Sequence, residues 1–85
     1  MQPVIVYTTT YCPYCSRAKE LLSRKQVPFT EIDLTEQDEE REKLTERTGR
    51  RTVPQIFIGD THVGGFDDLA ALERAGKLDG LLAPS

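Results

Sequence analysis

The hydrophobic and polar positions of this 85-residue chain follow two different periods. Residues 4–8 and 55–58 are largely β-branched and aromatic, which is typical of buried strands. Residues 29–34 alternate apolar and polar positions, which predicts a further strand. Apolar residues at 15, 18, 21 and 22 have the spacing of an amphipathic helix. Residues 4–34 therefore predict two parallel strands joined by a right-handed helical crossover.

A second helix is predicted over residues 35–48, and most of its surface is polar. Thr35 followed by Asp38 resembles a capping box, and acidic residues crowd the positive end of the helix dipole. Leu44 is nearly the only core residue of this segment. We therefore expect this helix to be the least firmly held element.

The last third of the chain predicts a hairpin followed by a closing helix. Strands at 55–58 and 61–63 flank a pair of turn residues. The closing helix is expected to begin at Asp67 or Asp68, and residues 78–82 to form a short turn that docks on the core.

These elements have the order β-α-β-α-β-β-α. They predict an α/β fold with a four-stranded mixed β-sheet flanked by helices. The length allows one domain over residues 1–85. Its core must be small, because a chain of this size buries only ~60% of its unfolded surface or a little more.

Charge and apolar content exclude several classes of function. The formal net charge is −3 without a basic block, which argues against nucleic acid and anionic membranes as partners. No apolar run approaches the roughly 18 residues of a membrane span, and no signal-peptide core follows Met1. We expect a cytoplasmic protein, and in that reducing compartment a close cysteine pair is typically catalytic or metal-binding.

The two cysteines lie in the tetrapeptide Cys12-Pro13-Tyr14-Cys15, between the first predicted strand and the first predicted helix. A cysteine just before a helix faces unpaired backbone N–H groups and the positive end of the dipole, which favour the thiolate. Arg17 and Lys19 are expected to add positive charge. The sequence predicts a redox dithiol in which Cys12 is the exposed nucleophile and Cys15 the more buried resolving thiol.

Two other interpretations of the cysteine pair are weaker. A structural disulfide between Cys12 and Cys15 would close so short a loop that it contributes only about 2 kcal/mol. A zinc site needs about four ligands, and the chain offers two cysteines and His62, which is more typical of an ordinary sheet residue. No metal is expected.

The segment Thr52-Val53-Pro54 opens the third predicted strand. Its simplest interpretation is a proline at the start of a strand with a trans bond, since only about 5–6% of X-Pro bonds are cis. Alternatively, a cis bond leaves the N–H and C=O of Val53 free to pair with an extended, peptide-like ligand.

The segment Gly64-Gly65-Phe66-Asp67-Asp68 precedes the last helix and also has two interpretations. In the first, the glycines and a capping aspartate simply end one element and begin the next. Alternatively, free N–H groups at the helix start bind a carboxylate, while Asp67 holds an α-amino group.

Together, the cysteine motif, residues 52–58 and residues 64–68 resemble the glutaredoxin family, in its short bacterial dithiol form, over essentially the whole chain. The resemblance implies a thioredoxin-like fold with Pro54 cis. It also implies a glutathione-binding groove whose residues are Tyr14, Thr52, Val53, Pro54, Gly65, Phe66 and Asp67.

The function implied by this resemblance is glutathione-dependent thiol–disulfide exchange by a monomer. Cys12 and Cys15 would reduce protein–glutathione mixed disulfides and other disulfides, with glutathione as co-substrate. The partners would be glutathione and glutathionylated or disulfide-containing proteins. The protein would serve in electron transport and in cell redox homeostasis.

Two positions depart from the family pattern. Thr9 stands where a lysine commonly meets the glycine carboxylate of glutathione, and either Arg50 or Arg51 is a candidate substitute. Phe66 stands where a small cysteine or serine is usual. We expect glutathione binding with altered affinity.

Two rival functions remain. One is a non-catalytic iron–sulfur carrier in which Cys12 of two subunits and two glutathiones hold the cluster; Pro13 and Cys15 argue against it. The other is a thioredoxin-like protein fed by a flavin reductase, although the usual Trp-Cys-Gly-Pro-Cys motif is absent.

Overall fold

The computed structural model describes residues 1–83, which form one four-stranded mixed sheet with helices packed on it. The strand order is β2-β1-β3-β4; β1 and β2 are parallel, and the other two pairs are antiparallel. The predicted α/β architecture is therefore confirmed. The elements are β1 (Val4–Thr8), α1 (Pro13–Arg24), β2 (Thr30–Asp33), α2 (Asp38–Thr48), β3 (Gln55–Ile58), β4 (Thr61–Gly64), α3 (Phe66–Arg74) and α4 (Leu78–Leu82).

Strand β1 lies inside the sheet because both of its faces are covered. Val4, Val6 and Thr8 are buried on one face, while Ile5 and Tyr7 are half-buried on the other. Strands β2 and β4, whose side chains are mostly exposed, form the two edges. This is the arrangement that the apolar pattern of residues 4–8 predicts.

The register of β1 and β3 determines which loops meet. The strands are antiparallel, with Tyr7 opposite Gln55. Because they run in opposite directions, the loop after β1 and the loop before β3 emerge at the same end of the sheet. The first loop carries Cys12 and the second carries Val53.

Two hydrophobic clusters cover the two faces of the sheet. The larger joins β1 and β3 to α1, α3 and α4. It receives the apolar stripe that the sequence predicts for α1, of which Ala18, Leu21 and Leu22 are cluster members. The smaller cluster lies beneath α2 and consists of Leu34, Leu44 and Phe57 with two half-buried neighbours.

Helix α2 begins at Asp38, so the predicted start at Thr35 and its capping box are wrong. The Thr35 hydroxyl donates to Asp33 Oδ1 at 2.5 Å and accepts the backbone N–H of Thr10 at 2.7 Å. It is therefore unavailable to the helix, whose N-cap residue Gln37 makes no side-chain hydrogen bond. The prediction that Leu44 is nearly the only core residue of this helix is confirmed.

The C-terminal boundaries also differ from those predicted. Helix α3 begins at Phe66, one or two residues earlier than expected, because Gly65 takes the N-cap position and donates its N–H to Asp68 Oδ2 at 2.9 Å. The expected short turn at 78–82 is the separate helix α4. It does dock on the core, with Leu78 and Leu82 buried.

Leu44→Ala is expected to cost less global stability than Leu22→Ala. Both leucines are buried, and such truncations usually cost about 2–5 kcal/mol. Helix α2 has only one buried side chain, so it can open locally, and the cost of Leu44→Ala cannot exceed the free energy of that opening. Urea denaturation of both variants measures the difference. Equal losses, or amides of residues 38–48 protected from exchange as strongly as those of β1, would contradict a loosely held α2.

Glu31 is expected to make stability depend on pH in the acidic range. The Thr8 hydroxyl donates to the Glu31 carboxylate at 2.8 Å, and Lys19 Nζ lies 3.0 Å from it. Both contacts lower the pKa of Glu31, and the hydrogen bond from Thr8 has the larger effect. The folded state thus binds fewer protons than the unfolded state below the ordinary glutamate pKa of about 4.5. This contribution is complete above that value and lost as the pH falls through the folded pKa.

Glu31→Gln should therefore show a shallower fall in urea midpoint between about pH 5 and pH 3 than the wild type. The exposed Glu20→Gln provides a control with the same change of charge. Parallel curves for Glu31→Gln and the wild type would refute this assignment.

Candidate active site

Cys12 occupies the N-cap position of α1, with Pro13 as the first helical residue. Its backbone is extended, and its sulfur accepts the backbone N–H of Cys15 at 3.1 Å. An N-cap side chain in this position satisfies one of the unpaired N–H groups of the first helical turn. The same N–H and the positive end of the helix would stabilise a thiolate at Cys12.

The two cysteines form a disulfide in the structure, with their Cα atoms 5.1 Å apart, but their surroundings differ. Cys12 is half-buried, whereas Cys15 is only 2% exposed beneath the first turn of α1. Solvent and a large disulfide substrate can therefore approach Cys12 more readily than Cys15. The exposed side chains of Pro13 and Tyr14 lie between them.

The positive charge expected around Cys12 is only partly present. Lys19 pairs with Glu31 of β2 at 3.0 Å, which offsets part of its charge. The Arg17 guanidinium carbon lies 5.3 Å from the centre of the Tyr14 ring. The helix N-terminus is therefore the main feature of α1 that favours a thiolate.

The loop before β3 brings backbone polar groups beside Cys12. The Val53–Pro54 bond is cis, and the carbonyl oxygen of Val53 lies 3.5 Å from the Cys12 sulfur. Within residues 1–83 the Val53 N–H has no hydrogen-bond partner. An extended peptide could therefore pair with Val53 immediately next to the sulfur.

Gln55 holds this loop in place, and sequence reasoning missed it. Its side chain is fully buried; its amide nitrogen donates to the Thr52 carbonyl at 3.0 Å, and its amide oxygen lies 2.7 Å from His62 Nε2. The only feature of the sequence that indicates this role is a glutamine at the first position of an otherwise apolar strand. His62 also stacks on Phe57, with ring centres 4.9 Å apart. The pKa of His62 is lowered mainly by burial and to a smaller extent by the nearby Arg50 charge.

The third wall of the site is the start of α3. Asp68 Oδ2 accepts the Gly65 N–H and lies 3.0 Å from Arg50 Nη1. The Gly65 hydrogen bond first, then Arg50, lowers the pKa of Asp68. Gly64 has φ +115°, and a Cβ there would collide with the Asp68 carboxylate and lie 2.9 Å from Arg50 Nη1. Glycine is therefore required for this contact to form.

These three segments enclose a groove of about 260 Å³ beside Cys12. Every residue that the resemblance assigns to glutathione lines it, and sequence reasoning had not singled out Asp68 as a lining residue. The set consists of Tyr14, Arg50, Thr52, Val53, Pro54, Gly65, Phe66, Asp67 and Asp68. Arg51 instead pairs with Glu42 of α2 at 3.0 Å and lines a different cleft, so of the two candidate arginines only Arg50 faces the groove.

Other features of the described chain offer no competing chemistry. A larger cleft of about 480 Å³ lies between β4 and α3, but no residue of the cysteine motif or of the loop before β3 lines it. Among residues 1–83, His, Cys, Asp and Glu side chains form no group of three or more that could hold a metal ion. Within the same residues, no helix has the length and apolar character needed to cross a membrane.

Comparison with known proteins gives a consistent result. The glutaredoxin family model matches residues 4–63. A glutaredoxin of Pseudomonas aeruginosa is 61% identical over 83 residues, covering 98% of this chain and 99% of that protein. Glutaredoxin 3 of Escherichia coli strain K12 is 52% identical over 82 residues, covering 96% and 99% of the two chains.

Solved structures agree. A buckwheat glutaredoxin–glutathione complex superposes with a TM-score of 0.89 at 40% identity, covering 95% of this chain and 76% of that chain. The solution structure of a Brucella melitensis glutaredoxin gives a TM-score of 0.87 at 60% identity, covering 96% and 89%. The predicted thioredoxin-like fold is confirmed by these neighbours.

Proposed function

This chain belongs to the glutaredoxin family and is a dithiol thiol–disulfide oxidoreductase, and on that premise we propose that Cys12 removes glutathione from protein mixed disulfides while Cys15 serves as the resolving thiol. The observation that carries the proposal is the position of the Cys12 sulfur. It caps α1 and lies 3.5 Å from the carbonyl oxygen of Val53, which is one of the residues that line the groove ending at α3.

In the first step the Cys12 thiolate attacks the glutathione sulfur of the mixed disulfide. The substrate disulfide breaks, the protein thiolate leaves and takes a proton from water, and a Cys12–glutathione disulfide remains. A second glutathione thiolate then attacks the glutathione sulfur of that disulfide. Glutathione disulfide leaves and Cys12 returns as thiolate, a good leaving group because the helix N-terminus stabilises it.

Other disulfides use both cysteines. Cys12 attacks the substrate disulfide, and Cys15 then attacks the Cys12 sulfur, which releases the reduced substrate and forms the Cys12–Cys15 disulfide. Two glutathiones reduce that disulfide and leave as glutathione disulfide. The burial of Cys15 supports its role in this second attack, because external thiols reach Cys12 first.

The groove residues support a specific orientation of glutathione. Val53 would pair with the cysteinyl backbone in the manner of an added strand, beside Thr52 and Tyr14. The N–H groups of Phe66 and Asp67 at the start of α3 would hold the γ-glutamyl carboxylate. The exposed carboxylate of Asp67 would bind the neighbouring α-amino group.

Arg50 would take the place of the lysine that Thr9 replaces and bind the glycine carboxylate. Its guanidinium lines the groove and is about half exposed, so it can reach a ligand while Asp68 retains its hydrogen bond from Gly65. The partners would be glutathione and glutathionylated or disulfide-containing proteins. A monomer working in a reducing cytoplasm, with roles in electron transport and redox homeostasis, fits this chemistry.

Cys12→Ser is expected to reduce deglutathionylation to the uncatalysed rate, whereas Cys15→Ser should retain it. The mixed-disulfide reaction needs one nucleophile, and serine cannot replace the thiolate. The assay follows release of a peptide from its glutathione disulfide, with glutathione as reductant. In a parallel assay that follows the reduction of a protein disulfide, Cys15→Ser should lose most of its activity. Deglutathionylation that survives in Cys12→Ser would sink the assignment.

Arg50→Gln is expected to raise KM for glutathione about twofold to fivefold, because an exposed ion pair contributes up to about 1 kcal/mol. Arg51→Gln, the neighbouring variant with the same change of charge, should leave KM nearly unchanged. With glutathione whose glycine carboxylate is esterified, the difference between the two variants should disappear. Equal effects of the two variants, or an Arg50 effect that persists with the ester, would show that Arg50 does not bind this carboxylate.

A further inference from the structure

Phe66 is a bulky residue at a position where the family pattern has a small one, and its ring has a defined location. It is the first residue of α3, and its half-buried side chain packs against the larger hydrophobic cluster. The Tyr14 ring lies 6.4 Å away, centre to centre, with 32° between the ring planes. We refer to Tyr14 and Phe66 as the aromatic pair.

The aromatic pair joins two walls of the groove. Tyr14 belongs to the cysteine motif on α1, and Phe66 begins α3; both line the groove. Arg17 lies over Tyr14 with its guanidinium carbon 5.3 Å from the ring centre. The Tyr14 ring therefore has both Arg17 and Phe66 as neighbours, and its other side is open to solvent.

Phe66 lines the end of the groove where free backbone N–H groups are found. Gly65 already donates to Asp68, whereas the N–H groups of Phe66 and Asp67 have no acceptor within residues 1–83. An apolar ring beside these donors excludes water without competing for their hydrogen bonds. A carboxylate bound there would be held more strongly and screened less by salt than at an open helix start.

We propose that Phe66 is a specificity-determining residue, whose ring, held against Tyr14, covers the γ-glutamyl end of bound glutathione. The inference rests on the glutathione orientation in the proposed function. The lost polar contact of a small side chain is offset by the exclusion of water from the carboxylate.

The test compares two substrates that differ only in the γ-glutamyl group. One is a fluorescent peptide disulfide-bonded to glutathione, and the other is the same peptide disulfide-bonded to cysteinylglycine. Pre-reduced full-length protein is mixed with each, and peptide release gives a second-order rate constant for the attack by Cys12. The ratio of the two constants measures selectivity for the γ-glutamyl group.

Phe66→Ser should lower this ratio about threefold to tenfold, the scale of one aromatic contact. The rate constant of the Phe66→Ser protein for the peptide–glutathione disulfide should also fall more steeply with added salt than the wild-type rate constant. Phe66→Leu keeps an apolar cover, and Ala71→Ser places the same hydroxyl on an exposed position of α3; both should keep the ratio within about twofold. If Phe66→Ser fails to fold by circular dichroism, Phe66→Ala replaces it under the same criteria.

An unchanged or raised ratio in Phe66→Ser would overturn the inference, as would equal losses on both substrates, which indicate a merely structural role. The failure of the proposed function has a different signature. In that case the wild type itself would show no preference for the glutathione disulfide over the cysteinylglycine disulfide.

Discussion

The antiparallel pairing of β1 with β3 is the constraint on which the site depends. With Tyr7 opposite Gln55, the loop that carries Cys12 and the loop that carries Val53 emerge at the same end of the sheet. A shift of one residue would turn every β3 side chain to the other face, and β3 is buried along its whole length. The same register therefore sets both the hydrophobic core and the distance from Val53 to the sulfur of Cys12.

Polar contacts then hold the loops that this pairing brings together. The Gln55 side chain links Thr52 to His62 across the β3–β4 hairpin, so a fully buried amide has partners at both ends. Asp68 joins the start of α3 to Arg50 in the loop before β3. A buried polar group without partners is costly, so the contacts of Gln55 favour one arrangement of the loop before β3 over looser ones.

Packing is uneven around the sheet, and the site lies on the well-packed side. Helices α1, α3 and α4 bury their apolar residues in the larger cluster, whereas α2 contributes Leu44 to the smaller one. Side chains on α1, on α3 and before β3 line the groove, and none comes from α2. A nucleophile and a ligand groove supported by rigid elements keep their relative geometry from one turnover to the next.

Local patterns determined the element types, the central position of β1 and the dithiol at the start of α1, because periodicity and helix-end chemistry act over a few residues. Contacts between distant segments decided the rest. Helices α2 and α3 begin at residues other than those predicted, because the side chains of Thr35 and Asp68 form hydrogen bonds that local propensity does not indicate. Arg50 and Arg51 are adjacent and carry the same charge. Their positions differ because the fold places Asp68 beside Arg50 and Glu42 beside Arg51. The contact of Phe66 with Tyr14 likewise exists only because the sheet brings α1 and α3 together.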